Sequence, residues 1–184
     1  MPELPEVETV KRRLCNILPG KKITDIEVLR KKSFRGNVRL VLDHEILDIS
    51  RRAKLLRVRL TGKLNLLIHL KMTGQLIFTD GKHRIGGGHP TADWVKTLPS
   101  SHTRVLIHFS DNSKLYFNDM RVFGWIKVLT DDQVEQEYRR YGPDANTSEF
   151  NSEYLRTKLK NRTIPIKQAI MINEIVAGIG NIYA

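Results

Sequence analysis

Cysteine is nearly absent from this chain. Cys15 is the only one in 184 residues, which excludes an internal disulfide and fits a reducing compartment. Placed in an apolar helical pattern, it reads as a core residue. No stretch is long and apolar enough to span a bilayer, and no secretory signal precedes the first motif. Repeats and low-complexity segments are missing too. These absences point to a compact cytoplasmic protein, and nothing suggests more than a monomer. Acidic residues are also short, with 20 Asp/Glu against 31 Lys/Arg and a net charge of +11. The imbalance is local. Residues 1–130 hold 24 basic against 12 acidic side chains, and residues 131–184 hold 7 against 8. A polyanion is the implied partner of the first part, although basic ribosomal proteins share such a balance. The length allows one ordinary core and roughly one and a half domains.

The periodicity divides the chain at the same place. A helix is predicted from Pro5 to Leu18, where Val7, Val10, Leu14, Ile17 and Leu18 share a face and Pro19-Gly20 ends the run. Strand patterns follow at 23–29, 38–42, 45–50, 55–60, 64–70, 75–78, 104–109, 114–117 and 125–129. Thr61-Gly62-Lys63 and Asp111-Asn112-Ser113 read as hairpin turns. Gly86-Gly87-Gly88, between Asp80 and Ser101, reads as a mobile loop, because no helix pattern follows to make it a phosphate cradle. Beyond Thr130 the pattern turns helical, over 131–141, from Ser148-x-x-Asn151 to Lys160, and from Pro165 to Val176. The expected class is α+β: a β-sandwich with flanking helices over residues 1–130, then a helical part over 131–184.

The first residues carry the chemistry. Pro2 is small enough for methionine aminopeptidase to remove Met1, which leaves a terminal secondary amine. An α-amino group is a weaker base than a lysine side chain, so more of it is free to attack an aldehyde-like carbon and form an iminium. Glu3 and Glu6 are close enough in sequence to move protons around that amine. A plainer reading coexists with this one, since proline and acids also suit a helix's first turn.

Pro2 to Thr9 resembles the amino terminus of the bacterial formamidopyrimidine-DNA glycosylases, repair enzymes for oxidised purines. The related endonuclease VIII branch has glycine where this chain has Leu4. Three further segments extend the resemblance across the chain: His69-Leu70-Lys71-Met72-Thr73-Gly74, Asn118-Asp119-Met120-Arg121-Val122-Phe123-Gly124, and Gly178-Ile179-Gly180-Asn181-Ile182-Tyr183-Ala184. The resemblance implies removal of 8-oxoguanine and formamidopyrimidines from damaged double-stranded DNA, then strand cleavage by β- and δ-elimination through a proline Schiff base. Its catalytic positions are Pro2, Glu3 and Lys54. Its DNA-binding positions are His69, Met72, His102, Arg121, Phe123, Lys167 and Asn181. Met72 and Phe123 would wedge between bases while Arg121 pairs with the orphaned base, filling the space left by an extruded nucleotide. The glycine turn before Asn181 would bring backbone N–H groups to phosphate in a helix–two-turn–helix element. The chain departs from the family pattern at Lys71, where glycine is common, and at Val122, where a second basic residue is usual.

The resemblance also implies more helices and a four-cysteine zinc finger beyond Ala184. One cysteine cannot build that site, so no metal and no other cofactor is expected in this chain. The helix–two-turn–helix part then reads as incomplete, and the chain as a fragment or shortened homologue working on the bacterial nucleoid. Three alternatives stay open: an inactive DNA-binding fragment of the family, an endonuclease-VIII-like glycosylase for oxidised pyrimidines, and a basic RNA-binding or ribosome-associated protein.

Overall fold

The computed structural model describes residues 1–90 and 97–184. Helix α1 (Leu4–Leu14) opens the chain, with Pro5 and Glu6 in its first turn and Lys11, Arg12 and Arg13 in its last. That charge order complements the helix dipole. Val7, Val10 and Leu14 are buried on one face. The helix stops four residues before the expected end, and Leu18 is buried from a turn instead.

Among the described residues ten strands follow: β1 (Ile23–Val28), β2 (Phe34–Arg35), β3 (Ile46–Arg52), β4 (Leu55–Leu60), β5 (Leu64–His69), β6 (Gly74–Thr79), β7 (Arg84–Gly88), β8 (Thr103–Phe109), β9 (Lys114–Asp119) and β10 (Trp125–Thr130). They form two five-stranded sheets, ordered β1-β8-β9-β6-β7 and β2-β10-β5-β4-β3. Leu56, Val58, Leu66, Ile68 and Ile126 of the second sheet share one buried core with Leu76, Phe78, Val105, Ile107 and Phe117 of the first. α1 inserts its apolar face into the same core. This is the sandwich that the alternation predicts.

Two expectations fail here. Residues 38–42 form a 3₁₀ turn (Val38–Leu40) in place of a strand, because the Asn37 side chain accepts the Arg39 N–H at 3.0 Å and bends the chain. Gly86-Gly87-Gly88 is part of β7, not a loop. A Cβ on Gly86 would lie 1.9 Å from the Leu76 carbonyl oxygen, and one on Gly87 would lie 2.9 Å from Val10 Cγ2. Only glycine lets this strand run so close to β6 and α1. The part of the expected loop at residues 91–96 lies outside the described residues.

After β10, α2 (Asp131–Tyr138) starts on a Thr130/Gln133 capping box and packs Val134 and Tyr138 on Leu55 and Leu67, on the outer face of the second sheet. α3 (Ser152–Leu159) is capped by Asn151, whose side chain accepts the Tyr154 N–H at 2.9 Å. The last expected helix is short: α4 covers only Ile166–Ile170. Its continuation is diverted into tertiary hydrogen bonds. Asn173 O accepts the Gly142 N–H, Ile175 O accepts the Tyr154 hydroxyl, and the Ala177 N–H donates to Pro143 O. Residues 171–183 therefore run as turns against the 142–145 segment, with Ile175, Val176 and Ala177 buried.

Candidate nucleic-acid interface and amino-terminal site

Glu3 is the centre of the first cluster. Its side chain is fully buried and its carboxylate accepts the N–H groups of Gly180 (2.6 Å), Ile182 (2.9 Å) and Tyr183 (3.4 Å). A buried carboxylate without donors would be costly, so these bonds hold it in place. A Cβ on Gly180 would sit 2.4 Å from the carboxylate carbon; glycine is required by close approach. Gly178 has φ 103°, and a side chain there would strike Leu4. The Leu4 N–H donates to the Gly178 carbonyl at 3.0 Å, so the first and last described segments are bonded backbone to backbone.

Glu6 completes the cluster. Its Oε2 accepts the Glu3 N–H at 2.8 Å and its Oε1 accepts the Tyr183 hydroxyl at 2.9 Å. Pro2 is buried beside Glu3. Lys54 reaches in from the turn between β3 and β4, with its ammonium donating to the Ile179 carbonyl at 2.6 Å. Burial pushes that ammonium below the usual lysine range; Glu3 opposes the drop and Lys71 adds to it. The turn is fixed by Asp144, whose carboxylate accepts the Ala53 N–H at 2.8 Å and binds Arg51 at 2.5 Å. Arg51 also donates to Glu8 of α1 at 2.8 Å. Pro2, Glu3, Lys54 and the glycine turn, read separately from sequence, are thus brought together. The N–H groups of Gly180, Ile182 and Tyr183 in and after that turn face the enclosed Glu3 carboxylate. Asn181 lies exposed in the same turn.

A second cluster forms where the chain crosses between sheets. β5 and β10 pair in one sheet, with His69 opposite Trp125, and β6 and β9 pair in the other, with Gly74 opposite Asp119. The corners at residues 70–73 and 120–124 must therefore be neighbours. Met72 and Phe123 stand out from them at 37% and 45% exposure. Arg121 donates to the Met72 sulfur at 3.1 Å and lies 4.8 Å from the Phe123 ring centroid. The Lys32 ammonium, from the β1–β2 crossing, lies 5.9 Å from the centroid of the same ring. Lys71 and Val122, the two departures from the family pattern, both adopt the left-handed region, at φ 53° and 57°. That conformation is why glycine suits position 71.

His69 ends β5 beside these corners. Its Nδ1 accepts the Lys71 N–H at 3.0 Å, and its ring meets Trp125 edge-on with centroids 5.6 Å apart. Burial, with Lys71, Lys54 and Lys127 nearby, pushes its pKa down to about 3. The ring is neutral at physiological pH, and with Nδ1 accepting, Nε2 carries the proton and can donate. His102 sits in the turn before β8, and its carbonyl accepts the Asp119 N–H at 2.9 Å. Lys167 is exposed on α4 with its ammonium 3.1 Å from the Ala184 carbonyl, so it faces the last described residues. Sequence reading passed over Asp119, Thr73 and Asp144. The first two lie inside quoted motifs, but their role depends on contacts across the sandwich.

A family model described as "Formamidopyrimidine-DNA glycosylase N-terminal domain" matches residues 1–126. The chain belongs to the formamidopyrimidine-DNA glycosylase family. A second model, "Formamidopyrimidine-DNA glycosylase H2TH domain", matches residues 141–184. Curated relatives named formamidopyrimidine-DNA glycosylase include one from Pelotomaculum thermopropionicum, 36% identical over all of this chain and 64% of its own length. Another, from a Wolbachia pipientis strain, is 35% identical over the same shares. Among solved structures, Lactococcus lactis Fpg in complex with abasic-site DNA aligns with a TM-score of 0.83 at 29% identity, covering 98% of this chain and 64% of that one. The same protein with oxidised-pyrimidine DNA aligns at 0.83 and 30% identity, covering 99% and 65%. The chain thus spans just under two thirds of the relatives it matches. One cysteine, its Sγ 3.2 Å from the Arg12 carbonyl, does not fit a four-cysteine zinc site. Among the described residues, no helix is long and apolar enough to cross a membrane.

Proposed function

We propose that this chain is the nucleophile-bearing part of a DNA base-excision repair enzyme, a bifunctional glycosylase and AP lyase for oxidised purines. The observation that carries the reading is the enclosure of Pro2 and Glu3 against Lys54 and the 178–183 turn, on a sandwich whose two neighbouring corners project Met72, Arg121 and Phe123. After loss of Met1, the Pro2 nitrogen attacks C1′ of the damaged nucleotide with its lone pair. The glycosidic electrons leave with the base, which takes a proton. Glu3 relays the proton released by the attacking amine to the sugar ring oxygen, and the ring C1′–O4′ bond breaks to leave an iminium. The iminium acidifies a C2′ proton, whose loss expels the 3′ phosphate; loss of the C4′ proton from the conjugated product then expels the 5′ phosphate. A proline amine and a carboxylate suffice for these steps, so the proposal assigns no cofactor to this chain.

DNA is held by different means at different points. Lys54 and the neutral His69 Nε2–H suit phosphate oxygens, one as a charge and one as a directed donor. Asn181, His102 and Lys167 are further polar contacts along the backbone or the base site. Met72 and Phe123 wedge the stack while Arg121 takes the orphaned base. The work falls in the bacterial cytoplasm, on the nucleoid, by a monomer. A relative bound to oxidised-pyrimidine DNA favours testing a second lesion class on the same site.

The test is borohydride trapping on duplexes carrying 8-oxoguanine, an oxidised pyrimidine or an abasic site, with intact mass recording Met1. The proposal expects a covalent adduct that is lost in Pro2→Gly. Trapping on the abasic duplex alone would remove the glycosylase half. Absence of any adduct from protein lacking Met1 would overturn the whole assignment.

A further inference from the structure

We propose that Asp119 is the positioning residue that sets the DNA wedge, acting through the corners that carry Met72, Arg121 and Phe123. The inference rests on the wedge reading given above and extends it to a residue that touches no DNA. Asp119 is fully buried at the end of β9. Its Oδ1 binds the Thr73 hydroxyl of the first corner and accepts the Arg121 N–H of the second at 3.2 Å. Its Oδ2 accepts the Gly124 N–H at 2.7 Å, where the second corner closes. Thr73 Oγ1 itself accepts the Arg121 N–H at 3.0 Å. One carboxylate and one hydroxyl therefore tie Thr73, the residue after Met72, to Arg121 and Gly124, which flank Val122-Phe123.

The ties reach the third crossing as well. The Asp119 carbonyl accepts Arg104 Nε at 2.7 Å, and the Arg104 carbonyl accepts the N–H groups of Leu29 and Arg30 at 2.9 and 3.2 Å. Those residues lead into Lys32, which lies against Phe123. The Thr73 hydroxyl and the Arg121 and Gly124 N–H groups aimed at the Asp119 carboxylate are all donors. Asparagine has nearly the same shape but turns an N–H₂ toward one set of those donors. Without the tie, nothing in the two corners obliges Arg121 to lie between the Met72 sulfur and the Phe123 ring.

The experiment is fluorescence of 2-aminopurine placed beside a tetrahydrofuran abasic analogue, which brightens when a wedge unstacks it. Each variant is also titrated against an undamaged duplex, where phosphate contacts dominate. Asp119→Asn and the near-isosteric Thr73→Val are expected to lose the brightening and to weaken binding of the tetrahydrofuran duplex about ten-fold. Affinity for the undamaged duplex should hold, and Thr73→Ser should restore both signals. Wild-type behaviour in D119N and T73V overturns the inference, and so does an equal loss on both duplexes, which would mark a general structural role. A combined Met72→Ala, Arg121→Ala, Phe123→Ala variant separates the two levels. If that variant brightens and binds as wild type does, the wedge reading fails and this inference with it. If only the combined variant fails, the wedge stands and Asp119 does not set it.

Discussion

Lys71 sits at φ 53°, a region where a Cβ crowds the following carbonyl at a cost of about 1–2 kcal/mol. Replacing it with glycine removes that strain but adds freedom to the unfolded chain, worth roughly 0.5–1 kcal/mol in the opposite direction. The net expectation for Lys71→Gly is a gain of about 0.5–1 kcal/mol. Lys71→Ala is the decisive control, because it removes the same charge and the same half-buried side chain while keeping the Cβ. The glycine variant should therefore exceed the alanine variant by about 1 kcal/mol, a shift of roughly 2–4 °C in the melting midpoint for a chain of this size. Thermal unfolding followed by circular dichroism at fixed pH reads the difference. Both variants also remove a charge that holds the His69 pKa down, so that pKa should rise in each by the same amount. Equal melting of the two variants, or lower melting of the glycine one, would refute the strain argument.

Three other predictions follow from the same geometry. Gly180→Ala places a Cβ 2.4 Å from the Glu3 carboxylate carbon, and displacing that group from its donors should cost about 2–4 kcal/mol in a urea titration; a loss under half of that would mean the turn relaxes freely. Asp144→Ala leaves the nearly enclosed Arg51 without its shortest ion pair, with an expected loss of about 3 kcal/mol, and it should abolish borohydride trapping by releasing the turn that carries Lys54. Trapping at the wild-type level would refute that link. His69 has a folded pKa of about 3 against the ordinary imidazole value of 6.5, so the unfolded chain takes up a proton first as pH falls. Stability is then full above 6.5 and declines from there toward 3. Wild type should lose up to about 2 kcal/mol more than His69→Gln between pH 7 and pH 5, and parallel losses in the two proteins would exclude the effect.

Much of the sandwich was legible because its strands alternate and its hairpins carry their own turn residues. Asn112 in the β8–β9 turn and Lys63 in the β4–β5 turn both adopt positive φ, at places where polar turn signals stood in the sequence. What failed to show was structure made by absence or by distance. β7 has no apolar alternation, since its strand exists through the closeness that three glycines allow. Val38-Arg39-Leu40 alternates like a strand, yet a single asparagine side chain bends it. α4 ends early because carbonyls that would continue it are used by Gly142 and Tyr154. At the candidate site, motif chemistry singled out Pro2, Glu3 and Lys54, and Met72, Arg121 and Phe123, which the fold brings into two clusters. Asp144 and Asp119 were not singled out, because Arg51 lies 93 residues from Asp144 and Thr73 lies 46 residues from Asp119 along the chain.

The closure of Glu3 by the backbone of residues 180–183 has a consequence for synthesis. A nascent chain exposes its amino terminus well before residues 180–183 are made. At roughly 5–20 residues per second, about ten to forty seconds separate the two events. For Pro2 to serve as an amine, Met1 must be cut away, and the folded protein buries Pro2. Aminopeptidase access is therefore best while the ribosome is still working. Slow processing and fast folding would leave a protein with every side chain in place and the Pro2 nitrogen locked as an amide, so the fraction with a free amine depends on a race between removal of Met1 and closure of the 180–183 turn.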